Sequence, residues 1–429
     1  MEEQFPERLS KENFFALISN NKSLDDYRLE ETEIRLNKLT DWSTTWYYVR
    51  GEEFDVYQNI YDSMYVVHLF HKRWGHSRIA KQINEYYKEN SFNLVSNHYS
   101  TTFSVIGIPG VGKSRMILNI LEKCFKAIDV TETGLTLKYV YTNCSDVGSI
   151  KQLLTRFIEF VNETLGTKWP TITKGRGEDF NAMEGWLASI VNNHKIHVWI
   201  IDEIDSLIGL PFDYTKKVNG FLRNLSRITG LSIVFIGTPD AINVLAYNYQ
   251  VARRADGIGS IILEKFNYDF NKNITDDVNK DWVDFISALW RRQVLREIPS
   301  LSEELIYTYY TASAGIPGKA ITLHVRAQRE ALKYGIEFLN FEFIKQVDKQ
   351  SFSLSANMVR ALVSGKRDLI DLYPDLSLRL AKGIETVRKQ RLEPKEFAEL
   401  INTGEFTGEE KSELLKLYLS LNDKKKKLK

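Results

Sequence analysis

Residues 103 to 114 read Phe-Ser-Val-Ile-Gly-Ile-Pro-Gly-Val-Gly-Lys-Ser, a short apolar run that breaks into glycines and then into a helical stretch. Gly107, Gly112, Lys113 and Ser114 satisfy G-x-x-x-x-G-K-[ST], the nucleotide-binding P-loop pattern. Backbone N–H groups can surround a phosphate only where no side chain blocks the approach, which is why the pattern demands glycine. The lysine reaches the β- and γ-phosphates, and Ser114 is placed beside Mg2+. Beyond the loop, Ile117, Leu118, Ile120 and Leu121 recur at helical spacing, so a helix opens with its positive end toward the phosphates. Candidate nucleotide contacts are therefore Gly107, Ile108, Pro109, Gly110, Val111, Gly112, Lys113, Ser114 and Arg115, with ATP and Mg2+ as the implied ligands.

Working outward toward the C-terminus, His197-Val198-Trp199-Ile200-Ile201-Asp202-Glu203-Ile204-Asp205 is an apolar strand that runs straight into acids. Ligands bind at the C-terminal edge of open α/β sheets, where such a strand holds its carboxylates. Asp202 is expected to hold Mg2+ through its water shell, and Glu203 to polarise the attacking water. Acids at a strand end also cap helices; the P-loop upstream is what gives these a nucleotide role. Phe235-Ile236-Gly237-Thr238-Pro239-Asp240 ends another strand, making Thr238 a sensor of the phosphate or of the water, although Thr-Pro-Asp also begins a helix. Arg253 and Arg254 precede a further strand and are placed to face a neighbouring subunit's nucleotide, the alternative being a solvated surface pair. Lys319 begins a later helix and could bring a cation toward the phosphates.

Five strands are expected, at residues 103–106, 135–141, 197–201, 231–236 and 259–264, with long helical patterns between the first four. Continuous apolar strands separated by helices predict a parallel sheet covered on both faces. The boundaries that follow are 1–98 for a small N-terminal α/β domain, 99–270 for the nucleotide-binding core, 271–338 for a helical lid and 339–429 for a helical C-terminal extension. In the first of these, Thr45-Trp46-Tyr47-Tyr48-Val49 reads as a strand and residues 53–87 as mostly helical; residues 75–83 have a faint helix-turn-helix character but read as a capped amphipathic helix, since no recognisable recognition helix follows. The chain ends in a lysine run, Lys424 to Lys427 with Lys429, which reads as a solvated end, contact with nucleic acid or an acidic partner being the alternative.

Composition narrows the function classes. With 43% hydrophobic residues in 429 the chain is globular, and Lys+Arg 57 against Asp+Glu 56 leaves no global field to attract nucleic acid. Any such contact must come from a local patch. The helical pattern from Asp213 to Thr229 offers one: Lys216, Arg223 and Arg227 fall within about 40° on a helical wheel, opposite Val218, Phe221, Leu222, Leu225 and Ile228. Lys217 could add to this stripe, as could Lys151 and Arg156 from an earlier helix, for contact with double-stranded DNA. Two cysteines without metal-ligand spacing fit a reducing compartment. An acidic N-terminus without an apolar signal region, and the lack of any apolar stretch near ~18 residues, predict a cytoplasmic protein without a membrane span.

In this order the features resemble the AAA+ ATPases and, more specifically, the TnsC/TniB ATPases that regulate DNA transposition. The resemblance rests on Gly107 to Ser114, Ile200 to Leu207, Ile233 to Asp240, Ala252-Arg253-Arg254, and Gly315 through Arg326-Ala327-Gln328-Arg329-Glu330-Ala331. Ile-Gly-Thr-Pro-Asp and Ala-Gln-Arg-Glu-Ala point to this branch, whereas Gly318-Lys319 stands where many relatives carry a lid arginine. It implies an AAA+ P-loop core, ATP hydrolysis, ring or helical homo-oligomers on DNA, and transposase and target-selector partners. A helicase loader or origin-recognition-type ATPase is the alternative within the superfamily, and a STAND-type signalling ATPase a third. A scaffold that only binds ATP would have no need of Glu203.

Overall fold

Every position of β1 (Phe103–Gly107), β5 (Val198–Asp202) and β6 (Ser232–Gly237) is buried, as expected of strands covered on both faces. The computed structural model describes residues 5–19, 23–74, 102–131, 134–145, 147–171, 180–209, 212–241, 260–370, 372–376 and 394–402, with 406, 408, 411–412, 414–415 and 418–419. The central sheet has five strands in the order β4-β5-β6-β1-β7, with β4 at Tyr139–Asn143 and β7 at Ile261–Leu263, and every pair is parallel.

The strand expected at 135–141 is two strands. β3 (Gly134–Leu137) pairs antiparallel with β2 (Ile128–Thr131), and only β4 joins the main sheet. Lys138 is the crossover: its N–H donates to the Ala127 carbonyl at 2.8 Å, its carbonyl accepts from Val198 N–H at 3.0 Å, and its ammonium pairs with Asp129 at 2.8 Å. An apolar run cannot show where the chain changes partner.

Three apolar clusters organise the helices. α1 (Lys11–Ile18), α3 (Glu53–Trp74) and α4 (Lys113–Cys124) cover one face of the sheet. The other face is covered by α5 (Ile150–Leu165), α6 (Phe180–Asn193) and α7 (Phe212–Thr229). The third cluster is the lid, built from α8 (Asp277–Trp290), α9 (Glu303–Ser313), α10 (Pro317–Lys333) and α11 (Phe341–Ser351), and it takes in Leu39 and Trp42 of α2 (Thr32–Thr45). The described part of residues 1–98 therefore divides between the sheet and the lid instead of forming a core of its own. The C-terminal segment also returns to the sheet, through Val359 and Leu362 of α12 (Ala356–Ser364) and through Leu376. Residues 75–83 and 424–429, singled out in the sequence, lie outside the described residues.

Residues 46–50 are extended but form no strand. Trp46 and Tyr48 pack with the lid cluster, Tyr48 meeting Phe285 edge to face at 5.2 Å, while Tyr47 and Val49 pack with the sheet cluster. The period-two alternation is real, but its two sides are two separate cores. Arg50 ends this strap by donating to the Glu264 carbonyl at 2.7 Å, with its guanidinium over the Phe266 ring.

α2 is fixed to the lid by Arg35, which is 2% exposed. Its Nη1 and Nη2 donate to the two Glu337 carboxylate oxygens at 2.7 and 2.9 Å. Glu337→Ala is expected to lower the unfolding free energy by about 2 kcal/mol, below the ~3–5 of a fully buried pair because Glu337 keeps 27% exposure. Hydrogen bonding from Arg35 holds the Glu337 carboxyl below the usual range. Its contribution is therefore complete above the ordinary glutamate pKa and is lost as pH falls through the lower folded value. Urea denaturation should show parent and variant converging in acid; a constant difference at every pH would remove the ion pair as the cause.

Candidate functional site

β1 delivers the P-loop to the C-terminal edge of the sheet. Gly110 and Gly112 have φ of 82° and 101°, which a side-chain-bearing residue rarely adopts. A Cβ on Gly112 would stand in open space, so the loop keeps a cradle free on that side. Ile108 and Val111 are buried, while Pro109 and Gly110 form the exposed tip. The Lys113 ammonium donates to the carbonyls of Gly107 at 2.6 Å and Ile108 at 3.1 Å. Burial lowers its pKa to about 8, with Asp202, Asp205 and Glu203 pulling the other way. Ser114 and Arg115 follow on α4, both half-buried.

Across the sheet edge, Asp202 is 1% exposed and fully engaged. Its Oδ1 accepts the Glu203 N–H at 2.8 Å, and its Oδ2 accepts the hydroxyl of Tyr141 from β4. Glu203 has φ 54°, a conformation that costs a non-glycine residue ~1–3 kcal/mol and that clusters at functional sites. The turn lifts its side chain out of the strand, so that Glu203 is exposed between buried Asp202 and Ile204. Thr238 ends β6, between the P-loop strand and the acidic strand; its N–H donates to Asp205 Oδ1 at 2.9 Å and its carbonyl accepts from Ala241. A backbone tie to the acidic loop and a turn closed by Ala241 thus coexist at this residue. Arg253 and Arg254 lie outside the described residues.

Among the described residues no group of three or more His, Cys, Asp or Glu side chains could hold a metal. Ser114 and Asp202 with a ligand's phosphates are the donor set that suits Mg2+, which binds through one or two protein oxygens and keeps several waters. Tyr141 was not singled out in the sequence. Its only signal is the alternation of β4, which puts Tyr139, Tyr141 and Asn143 on one side of the strand.

The lid touches the P-loop directly. Gly318 N–H at the start of α10 donates to the Gly110 carbonyl at 2.9 Å, and a Cβ on Gly318 would lie 2.8 Å from that oxygen. Lys319 does not follow the backbone toward the loop: its ammonium donates to Ser355 Oγ at 2.6 Å and lies over the Phe352 ring. A hydroxyl 36 residues later, beyond α11, supplied a partner that spacing along α10 could not reveal.

On α7, Lys217 and Arg227 are exposed, Arg223 is half-buried, and the side chain of Lys216 lies outside the described residues. Burial raises the carboxyl of Glu184 on α6, while Asn224 and Arg227 favour its ionised form. The stripe expected to be wholly cationic therefore has an acidic neighbour, because a wheel counts only its own helix. Arg156 donates to the Asn143 carbonyl at 2.5 Å at the end of β4, and Lys151 is half-buried on the same helix.

The family model described as AAA domain matches residues 97–245, which include the P-loop, the acidic strand and Thr238. The fold is that of an AAA+ P-loop NTPase domain with a five-stranded parallel sheet. No curated protein matches the chain. Among solved structures, the ORC2 protein of Aeropyrum pernix in ADPNP and ADP complexes is 14% identical over 84% of this chain and 85% of that chain, with a TM-score of 0.41. A Walker-type ATPase of Pyrococcus abyssi is 13% identical over 75% and 86%, TM-score 0.37. Drosophila ORC bound to DNA is 12% identical over 73% and 68%, TM-score 0.36.

Proposed function

We propose that this chain is a Mg2+-dependent ATPase that assembles with copies of itself on duplex DNA and regulates transposition in the manner of the TnsC/TniB ATPases. One observation carries the enzymatic part: Lys113, buried Asp202 and exposed Glu203, the last in a left-handed turn, meet at one edge of the sheet. Loop N–H groups and the Lys113 ammonium bind the phosphates. Mg2+, held by Ser114 and Asp202, would neutralise phosphate charge. Glu203 orients a water and takes its proton as the water oxygen bonds to the γ-phosphorus, and the bond to the β-γ bridging oxygen breaks to release ADP. Thr238, whose N–H donates to Asp205, would serve as the sensor. Arg253 and Arg254 would complete the site in a neighbouring subunit.

The transposition role rests on the stretches quoted above, and the DNA role on Lys217, Arg223 and Arg227 with Lys216. Anisotropy titrations of a labelled duplex, with a slowly hydrolysed ATP analogue, should show sequence-independent binding whose log affinity falls by about 0.9 per neutralised phosphate per decade of salt. Changing Lys216, Lys217, Arg223 and Arg227 to alanine together should weaken binding at least ~10-fold and flatten that slope, with ATP affinity unchanged. Parental affinity and slope would move the DNA surface elsewhere. Assembly on duplex without stimulation of strand transfer by a transposase would favour the origin-recognition or helicase-loader reading.

A further inference from the structure

Tyr141 stands where the two Mg2+-holding groups of the proposed site converge. In the β4–β5 register Tyr141 is opposite Ile200 and Asn143 opposite Asp202. Side chains alternate along both strands, so Tyr141, Ile200 and Asp202 share the face covered by α4. There the Tyr141 hydroxyl donates to Asp202 Oδ2, with Ser114 of α4 close enough to favour the ionised form of that hydroxyl. Since Asp202 Oδ1 already accepts the Glu203 N–H, both carboxylate oxygens are occupied by the protein itself.

A carboxylate this deeply buried needs a partner in every state of the molecule. We infer that the Tyr141 hydroxyl is a placeholder for the divalent cation, capping Asp202 Oδ2 beside Ser114 until a hydrated cation takes its position. The inference rests on the nucleotide reading of the site. Tyr141 is then a positioning residue that sets how much Mg2+ is needed to load the site: it must leave Asp202 Oδ2 when the cation arrives, and it returns when the cation departs. Loading therefore includes breaking a hydrogen bond to a charged group, while nucleotide alone leaves that bond intact.

Titrating Mg2+ into protein with a fluorescent ATP analogue tests this. Tyr141→Phe keeps the ring and its packing but has no hydroxyl to displace. The Mg2+ concentration for half-maximal tight binding should fall about tenfold in the variant, as expected for removing a competing charge-assisted bond. Affinity for the analogue in EDTA should stay within about twofold of the parent, since the loop and Lys113 are untouched. An unchanged or raised Mg2+ midpoint, with analogue still bound, overturns the placeholder while leaving the nucleotide site standing. Absence of analogue binding by the parent, with or without Mg2+, overturns the nucleotide reading and this inference together. Replacing Tyr141 by 3-fluorotyrosine gives a readout that retains the hydroxyl and does not depend on the phenylalanine variant folding. Its fluorine resonance should be unchanged by nucleotide alone and shift when Mg2+ is added, and a resonance identical in all states overturns the proposal.

Discussion

Glu203→Gln is expected to bind ATP as tightly as the parent and to release phosphate ~10²–10³-fold more slowly, the range for losing a positioned general base. Glutamine has the same shape and can hold the left-handed turn that glutamate holds, so Asp202 should keep its hydrogen bond from the N–H of residue 203. Binding depends on the P-loop, which the change does not touch. The variant should also accumulate assemblies on DNA, because hydrolysis is the proposed release step. Phosphate release in a single-turnover assay checks the rate, and parental turnover would mean that the catalytic carboxylate lies elsewhere.

Lys113→Ala should lose ~10²-fold or more in ATP affinity, the equivalent of one or two charge-assisted hydrogen bonds. Two other described cations have partners of their own: Lys319 is engaged by Ser355, and Arg156 by the Asn143 carbonyl. The same substitution should not destabilise the fold at neutral pH. A lysine whose folded pKa is lowered to about 8 is held against its preference to be charged, so the penalty is present at pH 7 and relaxes as pH rises through that value. The variant is expected to melt no lower than the parent at pH 7. Titration with a fluorescent ATP analogue and a thermal melt separate the two effects; equal ATP affinity would remove the P-loop reading.

The sheet was legible because its strands are buried on both sides and read as unbroken apolar runs, and the helix after the P-loop because its apolar residues recur at helical spacing. What escaped were choices of partner. Residues 46–50 alternate as a strand does, yet face two cores. Lys138 interrupts an apolar run to switch sheets, and Lys319 turns to a hydroxyl later in the chain. Tyr141 looks like a strand aromatic until the register sets it beside Asp202. In the site, residue types carried by the motif were readable, whereas the groups supporting them come from neighbouring strands whose order no local pattern specifies.

The strap at residues 46–50 has a mechanical consequence for the lid. Its side chains are sewn alternately into the lid and the sheet, and Arg50 ties its end to the Glu264 carbonyl just after β7. Rotating the lid by a small angle would pull Trp46 and Tyr48 one way while Tyr47 and Val49 held the other, and close-packed side chains do not stretch. They repack or they stay. Any movement of the lid against the Gly318–Gly110 contact would therefore have to come in steps of side-chain repacking at this strap.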